Sequence, residues 1–144
     1  MSQYTTTNPV REFDNASVAQ AIVPLVGRIL ISAIFLLSGI SKITAPAAMI
    51  GYIASAGLPL PQVGLAIAIV VEVVGSIALI LGFRTRVTAA ILAVFTVATA
   101  LAFHNKLGDQ DQFIHFFKNI AMTGGLLQVV AFGAGRFSLD ARRH

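Results

Sequence analysis

Four stretches of this chain, residues 21–43, 63–83, 87–103 and 113–133, are almost purely apolar. Each approaches the ~20 residues that an α-helix needs to cross a hydrocarbon core of ~30 Å, so the greater part of the sequence has a bilayer as its solvent. Composition agrees: of 144 residues 56% are hydrophobic and 11% charged, where a soluble domain carries ~25% charged residues. Four such helices joined by short connections predict an all-α fold, an integral membrane antiparallel four-helix bundle. The third run is the shortest and extends through Arg86 and His104, whose side chains can snorkel to the interface. A chain of this length has no room for a separate soluble catalytic domain, so any chemistry lies within the bundle or with partners.

The connection 44–61 is longer than a turn requires. Met49, Ile50, Ile53 and Ala56 recur in it at helical spacing. Pro46 suits a first helical turn, Gly57 a C-terminal cap, and Pro59 and Pro61 stop continuation, which predicts a short interfacial helix acting as a spacer or as a lid. The first apolar run follows a polar segment bearing Arg11, Glu12 and Asp14 and exceeds a signal-peptide core in length, so it is expected to stay in the mature protein. The division is then a flexible N-terminal segment 1–20, with a short turn near Asp14 or Asn15, a membrane domain 21–137 and a tail 138–144.

Arg11, Arg84, Arg86, Arg136, Arg142 and Arg143 fall on one side of the predicted spans, Lys42 and Lys106 on the other. The positive-inside rule puts both termini in the cytoplasm. The formal charge of +4 is scattered over helix ends and forms no phosphate-binding face, which excludes nucleic acid as a partner. Cysteine is absent, which excludes disulfides, thiol catalysis and thiolate metal ligation.

Glu72 stands at the centre of the second run, where an ionisable group costs ~2.5–3.5 kcal/mol even on the lenient insertion scale. Such a group normally faces a bundle interior with a partner or ligand. At ~1.5 Å per residue Arg28 lies roughly 9 Å from the inner edge, Glu72 roughly 15 Å from either edge and Lys118 roughly 8 Å from the outer edge. Helical spacing sets Arg28, Ser32, Phe35, Gly39 and Lys42 on one stripe, and Leu65, Ala68, Glu72, Gly75, Ser76, Leu79 and Gly82 on another. The third run offers Arg86, Ala90, Ala93, Val97, Ala100 and His104, the fourth His115, Lys118, Asn119, Met122 and Gly125. Convergence of these faces predicts a polar cavity weighted to the outer half, with Glu72 at its floor and Arg28 or Lys118 within its reach. Arg28, Lys42, Glu72, His104, Lys118 and Asn119 are the candidates for ligand contact or proton handling. The alternative is a buried ion pair that fixes helix register and nothing more. His104, His115, Asp109 and Asp111 lack metal-ligand spacing, so no metal is expected.

Arg28, the segment Ser38-Gly39-Ile40-Ser41-Lys42 with Pro46, Gly57-Leu58-Pro59, Glu72-Val73-Val74-Gly75, Gly82-Phe83-Arg84-Thr85-Arg86, His104, and Phe117-Lys118-Asn119 through Gly124-Gly125-Leu126 occur in that order. Over residues 27–137 the chain resembles the DoxX family of small bacterial four-helix membrane proteins, so the bacterial inner membrane is the expected location. The resemblance implies a redox setting: members are associated with membrane oxidoreductase assemblies and oxidative-stress handling, and the related DoxD branch with quinone-linked thiosulfate oxidation. Without cysteines this chain cannot cycle a disulfide. The implied role is to hold a quinone or small anionic ligand, with Lys118, Asn119 and His104 at its polar atoms and Glu72 handling protons, while oxidoreductase partner subunits supply the redox centre. Competing expectations are permeation of a small solute or proton past the stacked polar groups, an assembly scaffold, and self-association through small-residue faces.

Overall fold

The structure, a computed structural model, describes residues 9–143, with side chains from Ser17 onward. Of the segment expected to be flexible, residues 1–8 lie outside the described residues. From Pro9 the chain is already helical: α1 runs Pro9–Thr44, reaching back past the turn expected near Asp14. Proline is at home in a first helical turn, where its missing N–H has no partner to lose. The short helix α2 spans Pro46–Ser55 and, as expected, starts on Pro46 and is followed by Gly57 at φ 74°. The third helix, α3, covers Pro61–Leu81, with a π-helical turn at Val70–Val74 inside it. Helix α4 occupies Thr85–Phe103 and α5 Gln110–Phe132, followed by a 3-10 turn at Asp140–Arg142. No strand occurs among the described residues.

Among the described residues three helices are long and apolar enough to cross a membrane: Ser17–Thr44 of α1, α3 and α4. The fourth predicted span forms a helix of sufficient length, 23 residues, but Asp111, His115, Lys118 and Asn119 make its first half polar.

Helix ends follow local chemistry. Gly82, at φ 68°, closes α3, and Phe83 N donates to Ala78 O at 2.9 Å, the reversal that a left-handed glycine permits. The side chain of Asp109 accepts from Gln112 N at 3.0 Å and so caps α5.

Arg28 meets α3 at Leu79 and Ile80 while Lys42 meets it at Glu72, so α1 and α3 run antiparallel. Phe35, Leu79, Ala89, Leu92, Ala93 and Leu126 form the apolar core that joins α1, α3, α4 and α5. The predicted stripes hold on α1, where Arg28, Ser32, Phe35 and Gly39 are buried, and on α3, where Leu65, Ala68, Glu72, Ser76, Leu79 and Gly82 are. On α4 the buried face is instead Thr85, Ala89, Leu92, Ala93, Thr96 and Ala100, with Arg86 exposed. On α5 Asn119 and Leu126 are buried while His115 and Lys118 are exposed.

Candidate binding cavity

Lys42 lies in the last turn of α1, one turn beyond Ser38, and faces Glu72 in the π-turn of α3. Its ammonium is 3.1 Å from Glu72 Oε1 and 2.9 Å from Oε2. Ser38 Oγ accepts from Lys42 Nζ at 2.7 Å and donates to Glu72 Oε1 at 3.2 Å. The three side chains thus form one network near the C-terminal end of α1. Glu72 Oε2 is buried against the same Lys42 ammonium, so the carboxylate is held through both oxygens. Single π-turns recur where a helix must present a functional group, and here the turn carries the only carboxylate of the helix.

A buried ion pair alone says little about function. This one lies in the wall of a cavity of about 490 Å³, bounded by Met49, Tyr52 and Ile53 of α2, Ile67 and Ala68 of α3, and Phe95, Ala98, Thr99 and Phe103 of α4. Its size falls in the range of small-molecule sites, and its walls are apolar with a few convergent polar groups. The ring of Tyr52 stacks on Phe103 at 5.2 Å, which draws α2 over the C-terminal end of α4. His104 belongs to the same lining. Its Nδ1 is 3.0 Å from Gln112 Oε1 and its ring stacks on His115 at 5.1 Å.

The remaining candidates lie elsewhere. Lys118 is exposed, its Nζ 3.0 Å from His115 Nδ1. Asn119 is buried on α5 but is not part of the cavity lining. Arg28 does not reach Glu72; its guanidinium donates to Leu79 O and Ile80 O, both at 2.9 Å, and to Phe137 O. The last carbonyls of a helix carry the negative end of its dipole and attract a cation. The single polar interior expected from the stripes is therefore two centres, one at Lys42–Glu72 and one at Arg28, towards opposite ends of α1.

Sequence reasoning missed the second half of the Arg28 centre. Asp140 Oδ1 accepts from Arg84 N at 2.8 Å, and Oδ2 from Thr85 N at 2.8 Å and Thr85 Oγ1 at 2.7 Å. The tail thereby supplies the N-terminal cap that α4, preceded by Arg84, lacks in its own sequence. Burial opposes ionisation of Asp140, but the Thr85 and Arg84 hydrogen bonds and nearby Arg143 outweigh it and hold the carboxyl below its ordinary range. Leu139 N and Asp140 N donate to Leu81 O and Gly82 O at 3.0 and 2.9 Å. The missing cap ahead of Thr85 was the available signal.

A family model described as DoxX matches residues 23–105. The chain is 34% identical over 140 residues to inner membrane protein YphA of Escherichia coli (strain K12), a match covering 94% of this chain and 99% of that protein. It is 37% identical over 119 residues to inner membrane protein YqjF of the same strain, covering 81% and 88%. No solved structure matches the chain.

Proposed function

The chain belongs to the DoxX family, and we propose that it is an inner membrane protein whose outer cavity holds the polar end of a lipid-soluble, quinone-like ligand. In this reading α1, α3, α4 and α5 span the bilayer as a four-helix bundle. Helix α2 lies at the outer interface, and both termini are cytoplasmic. Arg84, Arg86, Arg142 and Arg143 belong to the end of the molecule where the tail packs on the α3–α4 turn, while Lys42 and Lys106 belong to the other end, which supports that orientation.

The observation that carries the proposal is an apolar chamber with a half-buried, hydrogen-bonded Lys42–Glu72 pair in its wall. Ile67 of α3 and Ala98 of α4 both line the cavity and are exposed, and in this reading the cavity opens to the lipid between them. At ~1.5 Å per residue they lie roughly 8 to 9 Å below the outer helix ends, inside the hydrocarbon layer. Such an opening admits an apolar tail from the lipid. Lys42 would donate to an oxygen of the head group, Glu72 would hold or accept a proton, Tyr52 and Phe103 would exclude water, and His104 would stand at the mouth. Arg28 closes the inner end and Lys118 stays outside.

Redox chemistry is what a quinone supplies when bound, and the chain's own residues bind and orient it. A place in an oxidoreductase assembly rests on the family resemblance. The test is quinone content: protein purified in mild detergent is extracted and the extract read by ultraviolet absorbance after chromatography. Wild type and Lys118→Ala retain quinone, and Glu72→Gln and Lys42→Met lose most of it. Equal retention in all four proteins would sink the reading.

A further inference from the structure

A second cavity lies toward the end of α1 opposite Lys42. It encloses about 350 Å³ and is bounded by Ser17, Val18, Ala21 and Ile22 of α1 and by Arg136 and Phe137 of the tail. Ala21 and Ile22 open the apolar run of α1, after the polar Asp14, Asn15, Ser17 and Gln20. The cavity thus straddles the boundary where a bilayer passes from hydrocarbon to head groups. The backbone that carries Arg136 is already held in place. Arg28 donates to Phe137 O, and Ser138 Oγ donates to Gly135 O at 2.8 Å. Gly135, at φ 77°, approaches α1 so closely that a Cβ there would stand 2.9 Å from Pro24 Cβ. A segment ordered in this way has little backbone freedom left to lose on binding.

Arg136 is exposed and has no carboxylate partner among the described residues. Arg84, Arg86, Arg142 and Arg143 belong to the same end of the molecule, and the Arg86 guanidinium lies against Gly133, three residues before Arg136. Asp140, the carboxylate described at this end, is taken up by Arg84 N, Thr85 N and Thr85 Oγ1. An apolar floor, an unpaired guanidinium at its rim and an excess of positive charge around it define one kind of occupant. A soluble phosphate would leave Val18, Ile22 and Phe137 bare, and an uncharged acyl chain would leave Arg136 unpaired. A zwitterionic lipid would bring its own ammonium into a field of the same sign. We propose that this cavity binds one anionic phospholipid, its phosphate on Arg136 and the start of an acyl chain along Val18, Ala21, Ile22 and Phe137. In the orientation given above, the lipid comes from the cytoplasmic leaflet.

The test titrates delipidated full-length protein, in a neutral detergent, with dioleoylphosphatidylglycerol or dioleoylphosphatidylcholine and counts bound lipid by native mass spectrometry. The first phosphatidylglycerol should bind about fivefold or more tighter than phosphatidylcholine, the preference one arginine near the surface supports. Arg136→Gln should lose that preference. Val18→Trp, which fills the cavity and leaves every charge in place, should lose the first bound lipid. Arg142→Gln removes an equal charge at the same end outside the cavity lining and should keep both. Arg136 and Val18 are exposed, so the two variants are expected to fold; should one fail to, the other decides. Phosphatidylcholine bound as tightly as phosphatidylglycerol overturns the proposal, as does binding by Val18→Trp at the wild-type level. Equal losses in Arg142→Gln and Arg136→Gln would show diffuse surface attraction and overturn the site. Displacement of the lipid by glycerol 1-phosphate would make it a site for soluble phosphate and overturn the lipid assignment.

Discussion

Side-chain lean explains which charges meet. On a helix every Cα–Cβ bond tilts toward the N-terminus, so side chains of α1 lean toward its N-terminal end and those of antiparallel α3 lean the opposite way. Lys42 thus drops to the level of Ser38 while Glu72 rises to meet it, at 2.9 Å. Arg28 leans the same way as Lys42, which carries it away from Glu72 to the C-terminal end of α3 and the tail carbonyl of Phe137. Counting depth along the sequence placed Glu72 between Arg28 and Lys118 because it located Cα atoms and ignored the lean. Buried at 1% exposure, Arg28 is expected to be hard to replace. Arg28→Ala should cost about 3 kcal/mol or more, since hydrogen bonds to a charged group are worth ~1.5–3 kcal/mol. Arg28→Lys should lose less, keeping the charge and forfeiting the fork. Denaturant unfolding in detergent measures both. Asp140 gives a pH signature: its folded-state carboxyl titrates below the ordinary value, so its stabilisation is complete above that value and vanishes as pH falls through the lowered one. The protection of the Thr85 amide against hydrogen exchange, relative to its intrinsic rate, should fall below pH about 4. In Asp140→Asn that protection should be low already at neutral pH and show little acid dependence.

At the scale of helices, the approach of α1 to the π-turn sets the geometry of the cavity wall. A Cβ on Gly39 would stand 2.6 Å from Val73 Cγ2 and 3.3 Å from Glu72 Cβ, whereas one on Gly27 would meet nothing within 4 Å. Gly39→Ala should force the helices apart and cost ~1–3 kcal/mol, the usual range for overpacking. It should also lower quinone retention. Gly27→Ala should leave retention unchanged and gain up to ~1 kcal/mol from helix propensity. A melting curve and the extraction assay separate the two. The contrast also shows what was legible. The stripes of α1 and α3 were readable because polar and small residues there interrupt larger apolar ones. On α4 small residues lie on several faces, among them Ala89, Ala90, Ala93, Ala98, Ala100 and Ala102. Periodicity could not choose among those faces, and Arg86 and His104, free to snorkel, were poor anchors for the choice. Nothing in Val70-Val71-Glu72-Val73-Val74 announced a π-turn beyond a cluster of β-branched residues that suit a regular helix poorly.

For the molecule as a whole, the two centres lie at opposite ends, and orientation in the membrane determines which leaflet serves each. The class of fold was plain from hydropathy, because apolar runs of spanning length admit few structures in a bilayer. The tail clasp was not, since the contact of Arg28 with Phe137 and of Thr85 with Asp140 bridges segments far apart in the chain. With no native cysteine, single replacements report topology without background. Lys106→Cys, in the loop beside His104, should react with a membrane-impermeant maleimide in spheroplasts with an intact inner membrane. Arg142→Cys, in the tail that caps α4, should react only after that membrane is permeabilised. The same pair of labels decides how a lipid-soluble ligand arrives. The opening proposed between Ile67 and Ala98 belongs to a cavity lined also by His104, so outward labelling of Lys106→Cys assigns ligand exchange to the outer leaflet. The reverse pattern would assign it to the cytoplasmic leaflet and place the arginine-bearing clasp outside, against the charge rule that argues for the present orientation.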